Sequence, residues 1–287
     1  MRGEQGARRV AGPNCLYNHA AHARWHASTK GIPMTRSDSG QTQPVAADEL
    51  FKQPRPLDRI AHKDLSIDCK AGFAFARGQI AVPITLSEFA VAARDYPIVF
   101  ASDPVQPFAV LGLREGHSLL VNAAGDWRKE RYVPVHLRRY PFIFMEAQGS
   151  QFLLCIDEAA PHFTAAQKND PKPLFVDGNP SPLVGDAMKF LAAFQSEFVA
   201  TRELAAAIDK SGLLVDRRAD VELASGAGHL SLGGFRVVDE EKLAALSDDM
   251  FLDWRKRGWL APIYFHLQSL GNFGLLTDWA GEDAAAA

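Results

Sequence analysis

The sequence has few cysteines for its length. Cys15, Cys69 and Cys155 are the only three among 287 residues, and they lie far apart, in no CxxC or Cys/His ligand spacing. A disulfide scaffold or a structural zinc site needs paired or closely spaced ligands. We therefore predict no bound metal of that kind and, as the simplest compartment, a reducing cytoplasm.

Long apolar runs are also missing. A membrane-spanning helix needs about 18 or more apolar residues, and the best short candidate, Trp259–Phe265, is far shorter and contains Pro262. The N-terminus carries charged and histidine side chains where a secretory signal needs an apolar core. We expect a soluble chain without Sec export, with a C-terminal or machine-read export signal left open as an alternative.

Neither sign of charge is in large excess. The 31 basic and 34 acidic side chains leave a formal net charge of −3. A dedicated nucleic-acid binder shows a basic stripe or a high isoelectric point. No nucleic-acid partner is therefore predicted.

The sequence contains none of the motifs GxGxxG, GxxxxGK[ST], HExxH and GxSxG. Gly226-Ala227-Gly228 lacks the strand–loop–helix context of a phosphate-binding loop and fits a hairpin turn better. We predict no cofactor, and whether the chain is an enzyme stays open.

Residues 1–45 are rich in Arg, His, Gly, Ser and Gln and show no apolar period, which predicts a disordered tail. Within it, Met34 is a candidate true start. His19, His22 and His26 have a spacing that would place them on one helical face, where they could bind a metal. The composition favours a low-complexity tail instead.

The remaining residues, 46–287, are predicted to form one domain with lobes at about 57–158 and 183–276. A Pro-rich segment over 159–182 joins the lobes as a loop or a lid. In the first lobe, short apolar segments separated by turns predict an antiparallel sheet. The segments concerned are Ile67–Cys69, Phe73–Phe75, Ala81–Ile84, Ile98–Phe100, Phe108–Leu113, Ser118–Val121, Phe142–Met145 and Phe152–Ile156.

The second lobe is predicted to be rich in helices. Ser181 can cap a helix with Pro182 in its first turn, and about 28 residues of helical periodicity follow to Gly212. Further helices are predicted from Ser247 to about Gly258 and from there to Gly271. The fold class is therefore α+β, with an antiparallel sheet-rich first lobe and a helix-rich second lobe that includes one long helix.

Asp157 and Glu158 follow a predicted strand and form one candidate acid/base pair. Adjacent strand residues point in opposite directions. The alternative is one solvated carboxylate and one that caps or forms a salt bridge.

Arg77 and the pair Arg138–Arg139 are the candidate anion-binding residues. Arg77 precedes a glycine that permits close approach of a ligand, and two adjacent guanidinium groups could bind a carboxylate or phosphate bidentately. Internal pairing with Asp95 or Asp157 is the alternative that we favour.

The remaining candidates have structural interpretations. His136 and His266 lie among apolar residues, which is more typical of core histidines than of catalytic bases. The aromatic and basic residues around Trp254–Trp259 suit either core packing or an interaction face.

Ten stretches of the sequence resemble the SapC-like family of bacterial proteins, and the resemblance extends over about residues 57–276. The stretches are His62–Leu65, Gly72–Arg77, Val82–Pro83, Ala93–Phe100, Ala109–Leu113, Tyr132–Pro134, Arg138–Phe142, Leu154–Glu158, Gly234–Glu240 and Ser269–Phe273.

The resemblance implies little chemistry, because these stretches carry no known catalytic role. The family name refers to surface-layer proteins linked to serum resistance. Members of the family resemble proteins whose genes lie beside genes for tryptophan-halogenase-like enzymes, cupin/JmjC-like hydroxylases and outer-membrane receptors. The resemblance therefore implies protein partners such as halogenase-like or hydroxylase-like enzymes.

Three functions follow as expectations. The first is a soluble, cytoplasmic accessory or binding protein that acts with enzymes that modify a peptide, glycan or small molecule. The second is an enzyme of an unrecognised type that uses Arg77, Arg139, Asp157 and Glu158. The third is a structural protein associated with a surface layer.

Overall fold

The computed structural model describes the residue ranges 50–68, 70–147, 151–165, 172–222 and 229–286. The predicted tail over 1–45, including Met34 and its three histidines, lies outside these ranges. Cys69 and the turn Gly226–Gly228 lie outside them as well.

The chain alternates short strands with helices of very different lengths. The strands are β1 Pro54–Pro56, β2 Leu65–Ile67, β3 Ala81–Pro83, β4 Ile98–Phe100, β5 Pro107–Val110, β6 Phe142–Ala147, β7 Gln151–Asp157, β8 Phe163–Ala165, β9 Lys172–Pro173, β10 Phe175–Val176, β11 Asn179–Pro180, β12 Leu214–Glu222 and β13 His229–Val238. The α-helices are α1 Phe89–Ala92, α2 Val135–Arg138, α3 Pro182–Lys210, α4 Glu240–Ala244, α5 Asp248–Lys256, α6 Leu260–Ser269 and α7 Phe273–Ala286. The paired strands are antiparallel, which confirms the α+β class.

The largest sheet combines strands from both predicted lobes. Its order is β12-β13-β4-β5-β3, and the two halves of the chain meet where Arg236 of β13 pairs with Phe100 of β4. β3 occupies the edge, as expected for a strand that contains Pro83. Both halves of the chain therefore contribute to one core.

Smaller sheets surround this core. One has the order β1-β7-β6 and another the order β8-β2-β9, while β10 and β11 form a hairpin. The segment 159–182, predicted to be a loop or a lid, supplies β8 to β11. It pairs with β2 along both of its edges, through Ser66↔Thr164 and Ser66↔Pro173.

The prediction of strand structure at Phe73–Phe75 is wrong. Residues Ala74–Ala76 form a single 3-10 turn. Gly72, at a φ of 70°, turns the chain, and the Phe73 amide donates to the Gly125 carbonyl at 2.6 Å instead of to a neighbouring strand. Ser118–Val121 also forms no named strand, although Val121 bridges Trp127.

The long predicted helix is confirmed as α3, which spans 29 residues. Its two ends lie in different core clusters. Near the start of α3, four residues pack with β6 and β7: Leu183, Val184, Ala187 and Leu191. Near its end, Leu204 and Ile208 pack into the main cluster, which is the larger apolar cluster and includes buried side chains of the five-stranded sheet. Between these ends, Phe190 and Phe194 of α3 lie against Arg138 and Arg139 at the end of α2.

The C-terminal helices pack on the main cluster. The predicted stop at Gly271 is only a 3-10 turn, after which α7 continues the chain. Asn272 fixes this turn by donating from Nδ2 to the carbonyls of Ala93 and Tyr96. In the part of the chain that the structure describes, no helix combines the length and apolar character needed to cross a membrane.

Candidate functional site

Asp157 lies at the end of β7 and is completely buried. It accepts four hydrogen bonds. These come from the amides of Gln53 at 2.7 Å, Lys52 at 3.1 Å and Ala159 at 3.2 Å, and from the Tyr140 hydroxyl at 3.0 Å. Two carboxylate oxygens provide about four lone-pair sites. The acceptor capacity of Asp157 is therefore used within the fold.

Tyr140 is part of the same arrangement. Burial raises the pKa of its phenol, and the hydrogen bond to Asp157 raises it further. The ring stacks on Phe75 with a centroid distance of 4.0 Å and meets the edge of His162 at 5.2 Å. Tyr140 therefore stays a protonated donor that orients Asp157.

Glu158 turns away from Asp157, towards the surface. Its Oε1 lies 3.0 Å from Nε2 of His62, a residue whose side chain is only 6% exposed. The Asp58 amide donates to the other ring nitrogen, Nδ1, at 2.9 Å. Because Nδ1 accepts this hydrogen bond, Nε2 carries a proton and donates it to Glu158. The pair therefore joins the 58–62 turn to the end of β7.

Arg139 is buried at the end of α2, between two phenylalanine rings. Its guanidinium carbon lies 5.0 Å from the Phe51 ring centroid and 4.9 Å from that of Phe194 on α3. Its Nη2 also approaches Nδ1 of His136 at 3.3 Å. Phe51 precedes the amides that bind Asp157. Arg139 and Asp157 therefore hold the same N-terminal segment from two sides.

Arg77 has a different environment. Its Nη2 donates to the carbonyls of Asn122 at 3.3 Å and Ala123 at 3.1 Å. The loop at Asn122–Ala123 makes none of the contacts with Asp157 or Glu158 described above. The structure therefore links Asp157 to Glu158 by sequence and to Arg139 through Phe51–Gln53, while the Arg77 guanidinium binds the Asn122–Ala123 loop.

We expected Arg138 or Arg139 to pair with Asp95 or Asp157, and the structure gives Asp95 other partners. Asp95 accepts from Arg131 Nη1 at 3.1 Å and from the Tyr132 amide at 2.8 Å. Arg138 lies between the rings of Tyr132 and Phe190, at 5.6 and 5.9 Å. Two aromatic rings therefore flank Arg138, and its charge also acts on the carboxyl of Glu88.

Glu88 is a buried carboxylate with several hydrogen-bond donors around it, and it was not among the predicted site residues. Its Oε2 accepts from the Thr85 amide and hydroxyl at 2.7 and 2.9 Å, and its Oε1 accepts from the Val135 amide at 2.6 Å and the Tyr132 hydroxyl at 3.0 Å. Burial raises the pKa of Glu88, and these hydrogen bonds and the charge of Arg138 oppose that shift. The capping box at Thr85–Glu88 gives the local half of this arrangement. No sequence signal gives Tyr132 and Val135.

The buried histidines have structural environments. His266 is fully buried, and its Nε2 accepts from the Val238 amide at 2.7 Å. Burial lowers the pKa of His266 to about 3. His162 is also buried, which lowers its pKa to about 4 despite a hydrogen bond to the Gly72 carbonyl and the nearby charge of Asp68. Both rings are neutral at pH 7.

Within the described ranges, no group of three or more His, Cys, Asp or Glu side chains is arranged to hold a metal ion. Cys155 is a buried free thiol, and burial raises its pKa, so the thiolate is disfavoured.

The comparisons with known proteins give one family. The family model for SapC matches residues 57–276, which is more than half of the chain. The matched segment contains Glu88, Arg138, Asp157 and Glu158 and begins after Phe51. No curated protein and no solved structure matches the chain significantly. The chain belongs to the SapC family.

Proposed function

We propose that this chain is a binding protein that acts with modifying enzymes on a peptide, glycan or small molecule. The main support comes from the hydrogen bonds that two buried carboxylates accept. Asp157 and Glu88 each accept four hydrogen bonds from the protein itself. A general base needs a lone pair within reach of the substrate proton. These two groups are arranged to hold the fold together.

The histidines support the same proposal. His62 has one ring nitrogen bonded to the Asp58 amide and the other to Glu158, and His266 accepts from Val238 in a fully buried position. Neither ring offers a nitrogen to solvent that could accept a substrate proton. We therefore prefer this proposal to the hypothesis of an enzyme built on Arg77, Arg139, Asp157 and Glu158.

A cytoplasmic location and halogenase-like or hydroxylase-like partner enzymes belong to this proposal. They derive from the cysteine usage and from the family resemblance. Fractionation of the native host, with detection of this protein in cytosol, inner membrane, periplasm and surface layer, tests the location. Recovery in the surface layer together with ordered self-assembly of the pure protein would support a surface structural role instead.

The test of function uses the full chain, tagged and expressed in its native host. Enzymes that co-purify with it are identified and assayed with and without the added chain. We expect the chain alone to give no turnover and to increase turnover by its partner. Turnover by the pure chain, abolished by substitution of one polar residue, would overturn the proposal.

A further inference from the structure

Arg138 has an unusual set of neighbours for a half-buried arginine. Tyr132 and Phe190 lie 5.6 and 5.9 Å from its guanidinium carbon, and Nη2 donates to the Tyr132 hydroxyl at 3.1 Å. Nε is buried, and it has no hydrogen-bond partner in the part of the chain that the structure describes. Among the described residues, no carboxylate lies within ion-pair distance of this side chain.

The nearest polar groups are already engaged with other partners. The Tyr132 hydroxyl donates to Glu88, so towards Arg138 it can act only as an acceptor. Each oxygen of Glu88 accepts hydrogen bonds from two donors. The guanidinium has five N–H donors, and among the described residues one partner, the Tyr132 hydroxyl, accepts a hydrogen bond from it.

The adjacent Arg139 differs from Arg138 in its exposure to solvent. It is 7% exposed and lies between Phe51 and Phe194. Arg138 contacts the equivalent ring one turn earlier on α3, Phe190, but remains partly open to solvent. The two arginines therefore present one closed and one open guanidinium group beside α3.

We propose that Arg138 binds the carboxylate of a ligand whose planar apolar part lies against Phe190. A carboxylate matches the planar fork of a guanidinium and can bind it bidentately. The flanking rings leave an apolar surface beside the charge, which suits a planar group better than a hydrated phosphate. This inference names the ligand class for the binding function proposed above and rests on that proposal.

The test is a titration of the full chain by calorimetry, with benzoate as the probe and benzamide, acetate and inorganic phosphate as comparisons. Saturable binding of benzoate, weaker binding of acetate and no binding of benzamide are expected. The Arg138→Gln variant should bind benzoate at least about tenfold more weakly. Arg94→Gln makes the same change of charge at an exposed side chain and should bind benzoate as the wild type does.

Three results would overturn the inference. They are equal affinity for benzoate and benzamide, binding of phosphate alone, and unchanged benzoate affinity in an Arg138→Gln protein whose circular dichroism and melting temperature match the wild type. Arg138→Lys keeps the charge without the fork and is expected to fall between the two. If benzoate fails to bind while the chain still stimulates a partner enzyme, the ligand class is wrong and the binding function stands.

Discussion

Asp157 illustrates how single side chains connect distant parts of this chain. The amides of Lys52 and Gln53, which it binds, are more than 100 positions away in sequence. Asp157→Asn would replace one acceptor oxygen by a donor that faces N–H groups. We expect the free energy of unfolding to fall by about 3 kcal/mol, measured by urea denaturation.

Tyr140→Phe is the matched control for this prediction. It removes one neutral donor from Asp157 and leaves the carboxylate in place. We expect a loss of about 1 kcal/mol. An Asp157→Asn protein as stable as Tyr140→Phe would contradict the role assigned to Asp157.

His266 predicts a dependence of stability on pH. Its pKa is about 3 in the folded protein, against about 6.5 for an exposed histidine. Between these values the unfolded chain binds more protons, so stability falls as the pH falls. This histidine alone should lower the free energy of unfolding by about 2 kcal/mol between pH 8 and pH 5.

His266→Gln removes that titration. Urea denaturation at pH 8 and pH 5 should show a stability loss in this variant that is smaller by about 2 kcal/mol than in the wild type. An equal loss in both proteins would show that His266 is not held neutral in the fold.

Sequence patterns predict which way the site side chains point better than they predict the hydrogen-bond partners of those side chains. Strand alternation separates Asp157 from Glu158, and the structure places Asp157 inside and Glu158 beside His62. The partners could not be predicted, because Lys52 and Gln53 carry no signal that directs them to Asp157. Glu88 is similar, since its capping box is local and its contacts with Tyr132 and Val135 are not.

Among the elements, α3 follows its local signals most closely. Ser181, Pro182 and Gly212 mark its ends in sequence and in structure. Phe73–Phe75 failed as a strand because the aromatic contacts of Phe73 with Trp127 and of Phe75 with Tyr140 override local alternation. Helical periodicity over 29 residues specifies an element; alternation over three does not.

Two glycines give opposite predictions for the same substitution. Gly185 lies in α3, and a Cβ atom there would meet nothing within 4 Å. Gly185→Ala should therefore stabilise the protein by about 0.5–1 kcal/mol. At Gly112 a Cβ atom would lie 2.2 Å from the His117 carbonyl oxygen, and Gly112→Ala should cost about 2–3 kcal/mol.

Thermal unfolding measures both glycine variants. We expect a raised melting temperature for Gly185→Ala and a lowered one for Gly112→Ala. If the two variants shift in the same direction, the local backbone at one of these glycines differs from that described.

In the whole molecule, the two halves of the chain depend on each other. β12 and β13 from the second half extend a sheet whose other strands come from the first, and α3 joins both core clusters. Pairing of β13 with β4 spans more than 130 positions, and no local pattern in either strand specifies its partner. The α+β class could be predicted from element types, but this shared sheet could not.

The shared sheet predicts cooperative unfolding. The calorimetric and van't Hoff enthalpies should agree, as they do for a single two-state transition. Two separate transitions, one for each predicted lobe, would show that the contact of β13 with β4 does not couple the halves.

The proposed function requires that the chain binds and assists an enzyme instead of catalysing a reaction itself. The most direct measurement compares turnover of the modified substrate by the pure chain, by the co-purified enzyme and by both together. We expect no turnover by the chain alone and faster turnover by the enzyme when the chain is added. Turnover by the chain alone, lost on substitution of a single polar residue, would contradict it.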